Sequence, residues 1–302
     1  MATEPEIRSA SLRGERRSGR TRRARRRPSG PRRLVATVRA LDELARSGAE
    51  VSAYVSDADT GQVIFSADSH VVMPVSDLCT LPILVEVAVR LEEGSLDPGT
   101  LLSRGDDVSG GGVWRHLDQE KLSLADVAVL AAANDDREAV NALLDAVGLE
   151  AVTRRMAELG MTRSAVLDRF RGDRGPDDAP HVAIGTTREY ADLFARLARR
   201  EGLPSGAIDR LAALFARRRD VSLVGAPLAV DPYPAADVPD LIFLNQLGRA
   251  EGVLAEAGIV LGRRAALTFA LFVTCGDASL VTRHRVHAAF RTLGEDILEI
   301  VA

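Results

Sequence analysis

"MPVSDLCTLPILVEVAVRLEEG", residues 73–94, is the stretch on which the reading of the whole chain turns. Leu81 to Gly94 predicts a helix rich in apolar residues, closed by a glycine that suits a left-handed C-cap. Asp77 stands where an N-cap belongs, and an aspartate accepting backbone N–H bonds there is worth roughly 0.5–2 kcal/mol over alanine. Cys79 is a thiol near a helix N-terminus, where thiolate is favoured, but Leu78, Leu81 and Pro82 around it point to a buried small apolar residue.

Upstream, "RLVATVRALDELAR" (33–46) places Leu34, Val35, Val38, Leu41 and Leu44 at helical spacing. "AEVSAYVSDADTGQVIFSAD" (49–68) reads as two strands around the turn Asp59-Thr60-Gly61. Downstream the pattern is helical at 123–135, 137–148, 149–160 and 187–202, whereas the Gly- and Pro-rich 168–185 is irregular. Strand signals return at 241–246, 255–262 and 265–275, and 284–301 makes a last helix. Helix and strands at both ends around a helical middle predict one α/β lobe built from 34–70 and 226–302, with an all-α lobe over 71–225.

The chain has 302 residues, 46% of them apolar and 27% charged, and no apolar run that could span a bilayer, so a globular protein is expected. "RGERRSGRTRRARRRPSGPRR" (13–33) is dense in arginine although the net charge is −4, which leaves the body after Arg33 acidic. Residues 1–33 hold no apolar core of a secretory signal, so we expect a cytoplasmic protein with a disordered basic tail. Such a tail can meet an anionic partner, nucleic acid or lipid, by charge neutralisation alone; it carries no interleaved aromatics, and a solvated tail is the plainer reading. Cys79 and Cys275 form no metal-type cluster and suit a reducing compartment, and Lys121 is the sole lysine.

Four stretches in order, "MPVSDLCTLPILVEV" (73–87), "SGGGVWRHL" (109–117), "LSLADVAVLAAANDDREAVNALLDAVGLEAV" (122–152) and "LNQLGRAEGVLAEAGIV" (244–260), give residues 34–302 a resemblance to class A serine β-lactamases and related penicillin-recognising serine hydrolases. The resemblance implies a β-lactamase/transpeptidase-like α/β (α+β) fold, an antiparallel sheet lobe flanked by helices plus an all-α lobe. It also implies S-x-x-K, S-D-N and K-T-G motifs, and here each motif is altered. Asp77 falls at the serine and Thr80 at the lysine of the first; Asp135, Asp136 and Arg137 fall at the second; Gln246, Leu247 and Gly248 fall at the third. The loop that would deliver a glutamate for deacylation, between Val166 and Gly185, holds Asp168, Asp173, Asp177 and Asp178 and no glutamate.

Acyl transfer of that kind needs a serine hydroxyl within reach of a base. Asp77 offers a carboxylate, whose acylation gives a mixed anhydride, and Thr80 has no basic nitrogen. Lys121 lies on another segment, so no lysine refills either role. Ser76 and Cys79 are the candidate displaced nucleophiles; one residue turns a helical side chain by about 100°, so Ser76 is expected to miss the pocket. Asp135 and Asp136, two carboxylates on a loop, are expected to cap a helix or form an ion pair, and Asp136 and Asn141 to support the fold. Trp114 can stack on a ligand at the pocket mouth or simply pack, and Trp114, Asp135, Arg137, Gln246 and Gly248 are the candidate binding residues. His284 and His287 are read as a solvated helix face, and no metal or cofactor is expected.

The residues therefore predict a catalytically degenerate protein, a pseudoenzyme that binds a small molecule, peptide-like ligand or protein partner through the old cleft. The competing reading is a cytoplasmic hydrolase or acyl-transfer enzyme acting on an amide, ester or lactam with non-standard residues. An authentic β-lactamase is the reading these residues oppose.

Overall fold

The computed structural model describes residues 34–106, 108–230, 241–277 and 279–302; the Arg-rich stretch read above as a tail lies outside them. Helix α1 (Val35–Arg46) leads into strands β1 (Glu50–Asp57), β2 (Val63–Ala67) and β3 (Met73–Pro74), then a 3-10 turn over Ser76–Cys79 and helix α2 (Thr80–Glu92). Next come β4 (Leu101–Ser103), β5 (Lys121–Ser123), α3 (Leu124–Asn134), α4 (Arg137–Val147), α5 (Leu149–Glu158), β6 (Ala165–Val166), β7 (Ala183–Gly185), α6 (Thr187–Arg199) and α7 (Ser205–Phe215). Strands β8 (Ile242–Ala250), β9 (Val253–Leu261) and β10 (Ala266–Thr274) precede the last helix, α8 (Leu280–Val301).

The expected α/β class and antiparallel sheet are present. Five strands lie in the order β2-β1-β10-β9-β8, so both ends of the chain meet at the β1–β10 ladder. Side chains alternate between the faces of a strand: Ala53 and Val55 join Phe269, Leu271 and Val260 under α1 and α8, while Tyr54, Ala270, Phe272 and Ile259 join the core of α2 and α6. Every residue of α2 from Thr80 to Val89 is buried, as an apolar run with no polar stripe requires. Its one charge in that span, Glu86, is held by Arg90 and Arg155.

Two local expectations change. The buried stripe of α1 runs Leu34-Thr37-Leu41-Leu44, with Val35 and Val38 exposed, because Thr37 bonds the Asp296 carboxylate of α8 through its N–H and its hydroxyl. Helix α7 was not read from the sequence. Ile208, Leu211 and Phe215 carry its helical spacing, but Gly206 in its first turn obscures it. A Cβ at 206 would meet only the Glu92 carboxylate, the far end of a flexible side chain that would have to move aside.

The helical layer is locked to the loop after β6 by Asn141. Its side-chain N–H donates to the Phe170 carbonyl at 2.9 Å, and its carbonyl accepts the Phe170 N–H at 2.8 Å. Both bonds are buried, so Asn141→Ala leaves two backbone groups unpaired and should cost about 2–4 kcal/mol. Urea denaturation of the variant measures that cost; a loss under about 1 kcal/mol would show that the lock is redundant.

Candidate functional site

Edge strand β8 and the turn before α2 lie side by side. Gly248 meets the Val75 carbonyl where any Cβ would overlap it, which fixes glycine at this motif position by contact with the chain rather than with a ligand. Ser76 takes a left-handed φ of 46°, a conformation that non-glycine residues adopt at a cost. The strained turn presents Asp77 to an open cleft of about 700 Å3, walled by Asp77, Gly110–Gly112, Asp135, Arg137, Arg219–Ser222 and Arg249.

Asp77 does not cap α2, contrary to the expectation; no side chain caps that helix or the turn before it. Its carboxylate points across the cleft floor instead, because an arginine and a strand N–H converge on it. Arg137 donates from Nε to Oδ1 at 2.6 Å and from Nη2 to Oδ2 at 3.0 Å, and the Arg249 N–H reaches Oδ2 at 2.9 Å. Arg137 is fixed in turn by the carbonyls of Ser109 and Arg249 and lies over the Phe170 ring, 4.9 Å from its centroid. Both carboxylate oxygens are thereby engaged, in the two-pronged geometry that an arginine makes with a carboxylate. The Arg249 backbone N–H, which faces the cleft floor, is likewise engaged by Asp77.

A second acid–arginine pair stands behind the first. Asp135, in a left-handed conformation at the end of α3, accepts from Arg218 Nη1 at 2.7 Å and Nη2 at 2.5 Å, and from Gln246 Nε2 at 2.7 Å. Burial pushes the Asp135 carboxyl above the usual range, against the pull of Arg218. Gln246 also donates to the Asp77 carbonyl at 3.2 Å and accepts from Arg218 Nη1. Arg218 arrives from the segment after α7, and thus supplies a cation that neither Thr80 nor Gln246 can provide.

The remaining candidates fall outside the cleft wall. Thr80 is buried, its hydroxyl without a partner. Cys79 is fully buried, and burial, with Asp77 adding, pushes its thiol well above the usual range, so it is no thiolate nucleophile. The Ser76 hydroxyl proton is shared between Asp77 Oδ2 at 3.1 Å and the Arg249 carbonyl at 2.9 Å. Trp114 does not sit at the mouth: it is fully buried, its ring N–H donating to the Gln119 carbonyl, because its own N–H is tied to the Asp136 carboxylate below. Gln246 and Gly248 shape the floor from within and do not line the cleft. Asp136 caps α4 through the Ala139 N–H. Asp168 is taken up by Arg171 and Arg174; burial is the largest single effect on its carboxyl and raises it, but the hydrogen bonds from Arg171, the Arg169 N–H and Arg174 together draw it below its ordinary value. Among the described residues no group of three His, Cys, Asp or Glu could hold a metal, and no helix is long and apolar enough to cross a membrane.

Sequence reading missed Arg218, Asp220 and Arg249. In "ARRRD" (216–220) Arg218 is indistinguishable from its exposed neighbours, and nothing local marks it as the one that turns inward. Asp220 pairs with Arg249 across the cleft mouth, and although burial opposes it, the hydrogen bonds of Arg249 and Ser222 pull Asp220 down to about 2.

The model of the beta-lactamase enzyme family matches residues 33–301. The chain belongs to the beta-lactamase enzyme family. No curated protein matches it in sequence. Among solved structures, the family fold is shared with a beta-lactamase from Sphaerobacter thermophilus at 20% identity and a TM-score of 0.77, covering 89% of this chain and 97% of that one. A structure of PBP-A matches at 17% identity and a TM-score of 0.71, over 87% and 94% of the two chains. A beta lactamase from Xanthomonas campestris pv. campestris matches at 17% identity and a TM-score of 0.71, over 88% and 98%. At these identities the likeness speaks for the fold, and the altered motifs of this beta-lactamase-family chain must be judged on their own geometry.

Asp77 and Arg137 are both largely buried, with side chains 6% and 18% exposed. Arg137→Ala strands a buried carboxylate and should destabilise by about 3–5 kcal/mol, while Asp77→Ala with Arg137→Ala together should cost less than the sum of the two. A double-mutant cycle in chemical denaturation reads this directly. Additive effects within about 0.5 kcal/mol would mean that the pair is not coupled.

Proposed function

We propose that this member of the beta-lactamase enzyme family is catalytically degenerate and binds a small or peptide-like ligand in its cleft without being acylated by it. The observation that carries the reading is the state of Asp77: the nucleophile position holds a carboxylate, and both its oxygens are engaged by Arg137 and the Arg249 N–H. Each cleft acid is paired with an arginine, Asp77 with Arg137, Asp135 with Arg218 and Asp220 with Arg249, so the walls are polar without presenting a free base. Glycines 110–112 and Val221 leave room between those pairs for a ligand. The proposal includes a cytoplasmic setting and, for the Arg-rich stretch at 1–33, an anionic partner.

One observation favours an enzyme with unusual residues: the Ser76 hydroxyl donates to Asp77, the arrangement of a nucleophile and a carboxylate base. The same Asp77 oxygen also accepts from Arg137 and from the Arg249 N–H, and the Ser76 hydroxyl is turned as well to the Arg249 carbonyl, so the pair is already committed to other partners. Ligand binding is therefore the stronger reading, and authentic β-lactamase activity the weakest.

Incubation with a fluorescent penicillin, and separately with serine- and thiol-directed acylating probes, followed by intact mass, tests the proposal. The mass should stay unchanged and a chromogenic cephalosporin should hydrolyse at the buffer rate; an adduct on Ser76 would overturn the reading. Asp77→Ser with Thr80→Lys should create no activity, because Asp135, Arg137 and Gln246 remain. It should lower stability by about 2–5 kcal/mol, since it removes Arg137's carboxylate and buries an ammonium at position 80.

A further inference from the structure

The first half of α8 carries Arg283, His284, Arg285, His287 and Arg291 and no Asp or Glu; acids return only at Glu295. Arg283, His287 and Arg291 follow one another at intervals of four, so they share one face of the helix in a row that rises about 12 Å. The row borders the cleft. Arg291 Nε donates to the Ser222 carbonyl at 3.3 Å and Arg249 Nη2 of β8 donates to the Ser222 hydroxyl at 3.3 Å, so two guanidiniums converge on one residue of the cleft wall. His287, half-buried beside them, is held below its ordinary value by burial first and then by Arg249, Arg291 and Arg283, with Asp220 opposing.

Countercharge is short on this face. Around His287 three guanidiniums, those of Arg249, Arg283 and Arg291, stand against one carboxylate, Asp220, which Arg249 already holds. Asp277, just before the helix, is turned to the Ser279 N–H and to the hydroxyls of Ser279 and Thr282. Among the described residues no hydrogen-bond acceptor meets Arg283, and Arg291 has only the neutral Ser222 carbonyl; Glu295, one turn further, makes no ion pair with it.

We propose that the row Arg283, His287 and Arg291, with Arg249 beside it, is a binding shelf for a phosphate-type dianion carried by a small molecule. As the anchor of a ligand that also enters the cleft it rests on the binding function proposed above, but as an anion site it is tested alone. An arginine fork matches two oxygens of a tetrahedral anion, and both Nη groups of Arg291 and the whole fork of Arg283 are open to one. A dianion balances the charge that Asp220 leaves over, which a single carboxylate does not. The length of the row selects a small molecule over a nucleic acid: a phosphate backbone running along α8 meets Glu295 and Glu299 after about 12 Å, where the sign reverses.

His287 reports the bound anion. A dianion on the shelf favours the imidazolium, so it raises the His287 midpoint and, reciprocally, binds more tightly as pH falls through that midpoint. The charges that face His287 are Arg283 and Arg291 on its own helix, Arg249 on β8 and Asp220 on the cleft wall.

Sulfate, a tetrahedral dianion that does not titrate in the range of histidine, is the probe, added to the full chain against chloride at constant ionic strength. NMR of the His287 imidazole and of the Ser222 and Arg249 amides should show a saturable response to sulfate, with the His287 midpoint raised by about one pH unit and binding about tenfold tighter to the imidazolium form. Arg283→Gln, an exposed change with no hydrogen bond to lose, should weaken sulfate by about tenfold. Arg285→Gln, about 200° round the helix from Arg283, should change it by less than about twofold. A response no different from that to chloride, an unmoved His287 midpoint, or equal losses in the two variants would each overturn the shelf. Acylation by a penicillin would overturn the proposed function and leave the shelf standing, whereas failure to bind sulfate would overturn the shelf alone.

Discussion

A largely buried carboxylate at the floor of an open cleft must find a permanent cation, and that constraint organises this molecule. Asp77 meets it through Arg137, and Arg137 can serve only because Ser109, Arg249 and the Phe170 ring hold its guanidinium in one plane. Phe170 is in turn fixed by Asn141. The glycine loop at 110–112, the edge of β8, α4 and the loop after β6 are all tied to one ion pair. A neutral side chain at position 77 would leave that assembly with an unmatched positive charge.

The sheet and most of the helices were legible because their signals are local and redundant. The pattern of 49–68 points to two strands around a turn, and the run at 265–275 and the glycine-closed helical runs each point to one element; the structure has them. At the site the sequence shows which residues stand where the resemblance implies serine or lysine: Asp77, Thr80, Asp135 and Gln246. It could not show what those residues pair with, since Arg218 and Asp135 are 83 residues apart and meet only because α7 folds back on α3. Asp77 was misread for a related reason. An N-cap is the commonest fate of an aspartate before a helix, but the left-handed Ser76 and a distant arginine turned the side chain outward. Trp114 was equally ambiguous, and its burial depends on Asp136 and on the carbonyl of Gln119.

Several residues at the motif positions are held by contacts of the fold itself. Gly248 is retained because a Val75 carbonyl presses on it, and Asp136 because it caps α4 and holds the Trp114 N–H. Neither requires a substrate. Such contacts belong to the fold, and a fold does not by itself fix an activity.

The reciprocal pairing of acids with arginines also constrains what these positions can become. Serine at 77 would leave Arg137 unmatched, serine at 135 would leave Arg218 buried without its carboxylate, and lysine at 246 would set a second cation beside Arg218. Each of these single steps crosses a less stable protein, so any lineage that carries the pairs is held to them by its own core.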